Sequence, residues 1–195
     1  MRLGYGRGEV GMAWIFGRIG VFLRGNNSNK MNKEEIIRAI EPAVKERNCF
    51  LVEVTISADN DIEIVIEREE GTVDWEDCAA IDKVVHEAFS QDDEDYALTV
   101  SSAGLDRPLK VQKQYLKALG SLVDVKFKGG RRLTATLTAA DIKGSDGKPG
   151  TEDSITLSYT ALETVEGQKK KQKVQHEDTY PLSDINSVTP YIEFK

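Results

Sequence analysis

Two cysteines and two histidines are all the thiol and imidazole chemistry in this chain of 195 residues. Cys49 and Cys78 sit inside apolar-periodic segments without CxxC or His-paired spacing, which excludes a disulfide scaffold or a zinc site and reads as buried, reduced thiols in a cytoplasmic protein. His86 and His176 are far apart, and neither has a carboxylate-rich ligand pattern around it. No EF-hand spacing occurs, so neither a metal nor a cofactor is expected. No GxSxG elbow surrounds Ser101 and Ser102 and no histidine follows them closely, so nothing would activate a nucleophile. The acids of "QDDED" (91–95) have no apolar flank to raise a carboxyl pKa. The chain is expected not to be an enzyme.

Long apolar runs are missing as well. The first 30 residues hold an apolar patch from Met12 to Leu23, but Arg18 interrupts it, so neither a secretory signal nor a spanning helix of roughly 20 residues fits and no membrane partner is expected. Gly6, Gly8 and Gly11 satisfy GxGxxG without a strand before them, which is not a dinucleotide loop. Residues 1–30 are expected to be a disordered extension or an upstream artefact, outside the fold.

What is present has clear periodicity. Asn32 with Glu35 resembles a capping box, and Ile36, Ile40, Ala43 and Val44 follow on one helical face, through Pro42. Phe50, Val52, Val54 and Ile56 alternate, as do Ile62, Ile64 and Ile66, so two strands are joined by a turn at Ala58–Asp61. Cys78, Ile81, Val85, Ala88 and Phe89 mark a helix from about Asp74. Tyr96, Leu98 and Val100 mark a third strand. Residues 31–110 thus read as an αββαβ domain with helices on one sheet face, and Glu53, Thr55, Glu63 and Glu67 form an acidic, solvated surface on the other. Val111, Tyr115, Leu116 and Leu119 predict a connecting helix over 111–119, stopped by Gly120. Four or five short strands and breaker-rich loops then fill residues 120–195, the pattern of a small β-barrel.

Between the two halves stands "TVSSAGLDRPL" (99–109). Gly104 offers positive φ, Asp106 is placed to cap the amides that follow, Arg107 is extended by its neighbour, and Pro108 opens a turn or helix. By residue chemistry alone this is a well-specified connector. In this slot, before a barrel-like tail ending "YPLSDINSVTPYIEF", it closely resembles the ribosome maturation factor RimP family, over roughly residues 32–195. Ala103 stands where that family usually has proline, and the loops at 143–153 and 163–173 are longer than usual.

The resemblance implies a KH-like N-terminal domain and a C-terminal SH3/Sm-like β-barrel, an α+β protein overall. It implies a monomeric, non-catalytic factor that binds the immature small (30S) ribosomal subunit and assists its late assembly. The partners implied are a basic small-subunit ribosomal protein and ribosomal RNA in the context of the particle. By position, Gly104, Asp106, Arg107 and Pro108 match the family's signature loop. Lys126, Lys128, Arg131 and Arg132 are a basic source near a strand turn, with Arg131 and Arg132 as candidate partner contacts, and Lys169, Lys170, Lys171 and Lys173 are a second.

The alternative reading is an RNA-binding, translation-associated module. The GxxG matches at 8–11, 17–20, 144–147 and 147–150 all miss the loop between two helices that a KH grip requires. Residues 31–119 carry 10 basic and 21 acidic side chains, a net of −11, while residues 120–195 carry 11 of each. So acidic a domain is repelled by bare RNA and suits a basic ribosomal protein.

Overall fold

A computed structural model of the chain describes residues 32–89, 95–144, 148–150, 152–163 and 172–192, without the side chain of Glu163. The expectations for residues 1–30, for Lys169–Lys171 and for residues 91–94 of the acidic run lie outside these.

Helix α1 (Lys33–Glu46) continues through Pro42 and buries Ile36, Ile40 and Val44. Its Asn32 cap accepts from the Glu34 amide at 2.9 Å, while the Glu35 amide bonds the Asn32 carbonyl, so the cap acts without the expected box. Strands β1 (Cys49–Ile56) and β2 (Asp61–Arg68) form an antiparallel hairpin, whose turn Ser57 ties by accepting from the Asp59 and Asp61 amides. Helix α2 (Trp75–Ala88) crosses over to β3 (Ala97–Ser102), which pairs parallel with β2 in a sheet ordered β1-β2-β3. The αββαβ expectation holds. Ile36, Ile40, Ile62, Ile64, Ile66, Ile81 and Val85 pack between the helices and one sheet face. Ala88 is exposed rather than buried; Val84 packs there instead.

The β1 alternation is corrected in one respect. The register shifts between Leu51 and Glu53, a β-bulge that turns part of the strand over. Val54 and Ile56 stay on the helix side with Cys49 and Leu51, but Phe50 and Val52 go to the opposite face and cluster with Val65, Ala103 and Val111.

Helix α3 (Gln112–Lys117) is followed by Gly120 at φ +79°. Val111 and Tyr115 are buried, but Leu116 and Leu119 are 47% and 40% exposed, because so short a helix has already committed its sides to the two layers it separates. Strands β4 (Leu122–Phe127), β5 (Arg132–Asp141), β6 (Ser154–Glu163), β7 (Gln172–Pro181) and β8 (Ile185–Pro190) make an antiparallel sheet ordered β7-β6-β5-β4-β8. Bulges at Lys126/Phe127 and Leu137/Ala139 help it curl around Val123, Val125, Leu137, Ile155, Leu157 and Val188. This is the expected small barrel with its seam open: β7 and β8 are the edges, and no ladder joins them among the described residues.

Candidate partner-binding site

The connector leaves β3 with one more ladder bond, from the Ala103 amide to the Ile66 carbonyl at 3.1 Å. A proline there has no N–H to make it. Gly104 then turns at φ +65°, where a Cβ would stand 3.2 Å from the Asp106 carboxylate. Gly104, Asp106, Arg107 and Pro108 are all exposed, and so is Leu105 at 68%, an apolar side chain that the sequence reading passed over. The expected Asp106 cap does not form: among the described residues no amide donates to its carboxylate. Leu109 ends the exposed stretch, buried in the barrel core with its amide on the Val188 carbonyl at 2.8 Å.

Beyond Gly104 the chain runs back across the sheet face that was expected to be acidic and solvated. Arg107, Lys110, Lys113 and Lys117 recur at intervals of three or four residues along it. Each meets a glutamate: Arg107 bonds Glu63 at 3.1 Å, Lys117 bonds Glu67 at 3.0 Å, Lys110 pairs with Glu53 and Lys113 with Glu69. Lys117 also donates to the carbonyls of Arg68 and Gly71, and the Gln114 amide to Glu67 at 2.8 Å. Beneath this row Val111 seals the apolar patch of Phe50, Val52, Val65 and Ala103, and the Lys113 ammonium lies 5.5 Å from the Phe50 ring centroid. The acidic face is therefore an internal interface. The bulge made it apolar enough to cover, and the connector's cations offset its charge.

The same segment grips the barrel. Tyr115 lies in its core, the hydroxyl bonding the Leu109 carbonyl at 3.3 Å, and burial pushes its pKa up to about 12. Gln112 donates to the Ile142 carbonyl at 2.7 Å.

A different electrostatic situation holds at the β4–β5 turn. Lys126, Lys128, Arg131 and Arg132 are exposed within seven residues. Arg132 pairs with Asp124 at 3.3 Å, but Lys126, Lys128 and Arg131 take part in no ion pair among the described residues. Arg131 instead lies over the Phe127 ring, 4.1 Å from its centroid, and 5.2 Å from that of Tyr180. No hydrogen bond or ion pair among the described residues joins this cluster to residues 104–108. The two groups of candidate residues are thus separate: Arg107 of the first pairs across an intramolecular seam, while in the second Arg132 is paired and Arg131 takes part in no ion pair among the described residues. The basic run's Lys173 is exposed on β7. Among the described residues no cluster of three or more His, Cys, Asp or Glu could hold a metal ion. No described helix is long and apolar enough to cross a membrane.

Comparison with known proteins agrees with this architecture. The family model for the RimP N-terminal domain matches residues 39–106. "Ribosome maturation factor RimP" of Christiangramia forsetii is 32% identical over 165 residues, 84% of this chain and 100% of that protein. The proteins of the same name from Porphyromonas gingivalis and Flavobacterium psychrophilum are each 28% identical, over 83% of this chain and 99% and 98% of their own lengths.

Proposed function

We propose that this chain, which belongs to the ribosome maturation factor RimP family, is a ribosome maturation factor that binds the immature small (30S) subunit and assists its late assembly. The observation that carries the reading is the similarity to a protein of that name along the relative's whole length, through the αββαβ unit, connector and barrel alike. It acts in the cytoplasm, as a monomer and without catalysis, with residues 31–110 and 120–195 as its two domains. Its partners are a basic small-subunit ribosomal protein and ribosomal RNA within the particle.

The site geometry supports two contact regions. One is the exposed connector tip, Gly104 to Pro108 with Leu105, beside the Arg107–Glu63 pair. The other is the basic turn with Arg131 and Arg132. Because Glu53, Glu63, Glu67 and Glu69 already meet cations, attraction for a basic protein comes from acids elsewhere on the N-terminal domain, which keeps its net negative charge with the connector included.

The test is sedimentation of the tagged protein through a gradient with ribosomal particles. Association with free small subunits and immature precursors, and none with mature ribosomes, is the expected result. Equal association with mature ribosomes, or none with any particle, overturns it.

A further inference from the structure

We infer that the β4–β5 turn is a binding site for single-stranded RNA, in which the exposed face of the Arg131 guanidinium stacks a base while Lys126, Lys128 and Arg132 take the flanking phosphates. The inference rests on the maturation reading only for where that RNA comes from.

The turn is closed by backbone hydrogen bonds and charged against its own interest. The Phe127 amide bonds the Arg131 carbonyl at 2.9 Å and the Gly130 amide bonds the Phe127 carbonyl at 3.0 Å, with Gly130 at φ +82°. Lys126 and Arg132 are directly opposite in the β4–β5 register, and like charges so placed destabilise a strand pair. On the other side Lys126 faces Ser187 of β8, a neutral hydroxyl. Among the described residues no carboxylate neutralises Lys126, Lys128 or Arg131, whose only charge contact is the cation–π one of Arg131, whereas every cation of the connector is paired with a glutamate.

The position of Arg131 adds a stacking surface. Phe127 and Tyr180 meet edge to face, with centroids 5.0 Å apart and planes at 68°. The Tyr180 hydroxyl is held by Asp178 at 3.3 Å, and the same carboxylate oxygen accepts the Tyr159 hydroxyl at 2.7 Å. Hydrogen bonding with Tyr180 and to Asp178 pushes the Tyr159 hydroxyl well up, so it keeps its proton. The guanidinium carbon lies 4.1 Å from the Phe127 centroid of this aromatic pair, and Arg131 is exposed. A planar cation backed by rings and flanked by ammonium groups fits a ligand that is both anionic and planar. Unpaired RNA offers both features. Duplex RNA hides its bases, and a run of aspartate or glutamate has no ring to stack.

The test uses the full chain and fluorescein-labelled oligouridine, with an RNA duplex of equal length and a polyglutamate peptide as the other probes, at low salt. Arg131→Lys keeps the charge and loses the stacking plane. It is expected to weaken oligouridine binding about ten-fold, nearly as much as Arg131→Ala. The double variant Lys126→Gln, Lys128→Gln should reduce the slope of log affinity against log salt by about 1.4. Lys83→Ala, on the far helix, should change neither, and thermal melting verifies that each variant is folded. Arg131→Lys binding oligouridine as tightly as the parent, duplex bound as well as single strand, or these variants affecting only polyglutamate would each overturn the site. Sedimentation separates the two readings: a parent protein that joins small subunits but shows no Arg131-dependent RNA affinity removes this proposal and leaves the maturation role standing.

Discussion

Arg107 donates to the Glu63 carboxylate at 3.1 Å across 44 residues, joining the connector to the middle strand of the first sheet. Both side chains are substantially exposed, so solvent screens the pair and its effect on stability is about 0.5 kcal/mol. Arg107→Ala should leave the melting temperature nearly unchanged while weakening sedimentation with small subunits. Glu63→Ala, which frees the guanidinium, should not weaken it. Equal loss in both variants would mean that the ion pair acts through connector geometry, and no loss in either would make it neutral decoration.

Reversing Glu53, Glu63 and Glu67 to lysine places each new ammonium beside Lys110, Arg107 or Lys117. Lost pairing and new repulsion sum to about 2 kcal/mol of destabilisation, relieved by added salt. Urea unfolding at two salt concentrations measures it. An unchanged midpoint at low salt would show that the connector does not rest on this face in solution.

Asp77 is fully buried yet charged. Burial favours its neutral form, but the Asp74 amide, Arg47 at 2.8 Å and Arg68 at 3.2 Å outweigh that and hold its pKa below the ordinary aspartate value. The folded pKa is therefore the lower one: the stabilisation is complete above the unfolded value near 3.9 and disappears as pH falls through the folded one. Asp77→Asn removes the nearest carboxylate from Arg47 and Arg68, which keep Asp74 at 3.7 and 3.4 Å, and should cost about 2 kcal/mol at pH 7. It should also flatten the acid limb below about pH 4. Thermal unfolding against pH tests both, and parallel curves for parent and variant would contradict the assignment.

Gly104→Ala must hold φ +65° with a methyl group 3.2 Å from the Asp106 carboxylate. The expected loss is about 1 kcal/mol, with the connector tip displaced. Gly71, also at positive φ but with nothing within 4 Å, is the control for backbone strain alone. If the two alanine variants lose the same stability, the close approach to Asp106 contributes nothing.

Local rules were legible from the chain. The capped helices, the isoleucine alternation of β2, the Gly120 stop and the turn-rich barrel strands follow from side-chain periodicity and backbone conformational limits, which act over a few residues. The family resemblance was legible too, because its motif is contiguous. What tertiary structure decided was the fate of the second sheet face. Glu53, Glu63 and Glu67 alternate as solvent-facing residues should, and Arg107, Lys110 and Lys117 look like an ordinary charged connector. Only the folded path, set by the bulge at Leu51/Glu53 and the patch around Val111, brings the two rows together. The same holds for the basic residues. Sequence shows Arg131 and Lys117 as equal cations, but Lys117 is matched to a carboxylate and two carbonyls while Arg131 is stacked on a ring. Charge is written in the chain; neutralisation depends on pairs separated by tens of residues, and those distances exist only after folding.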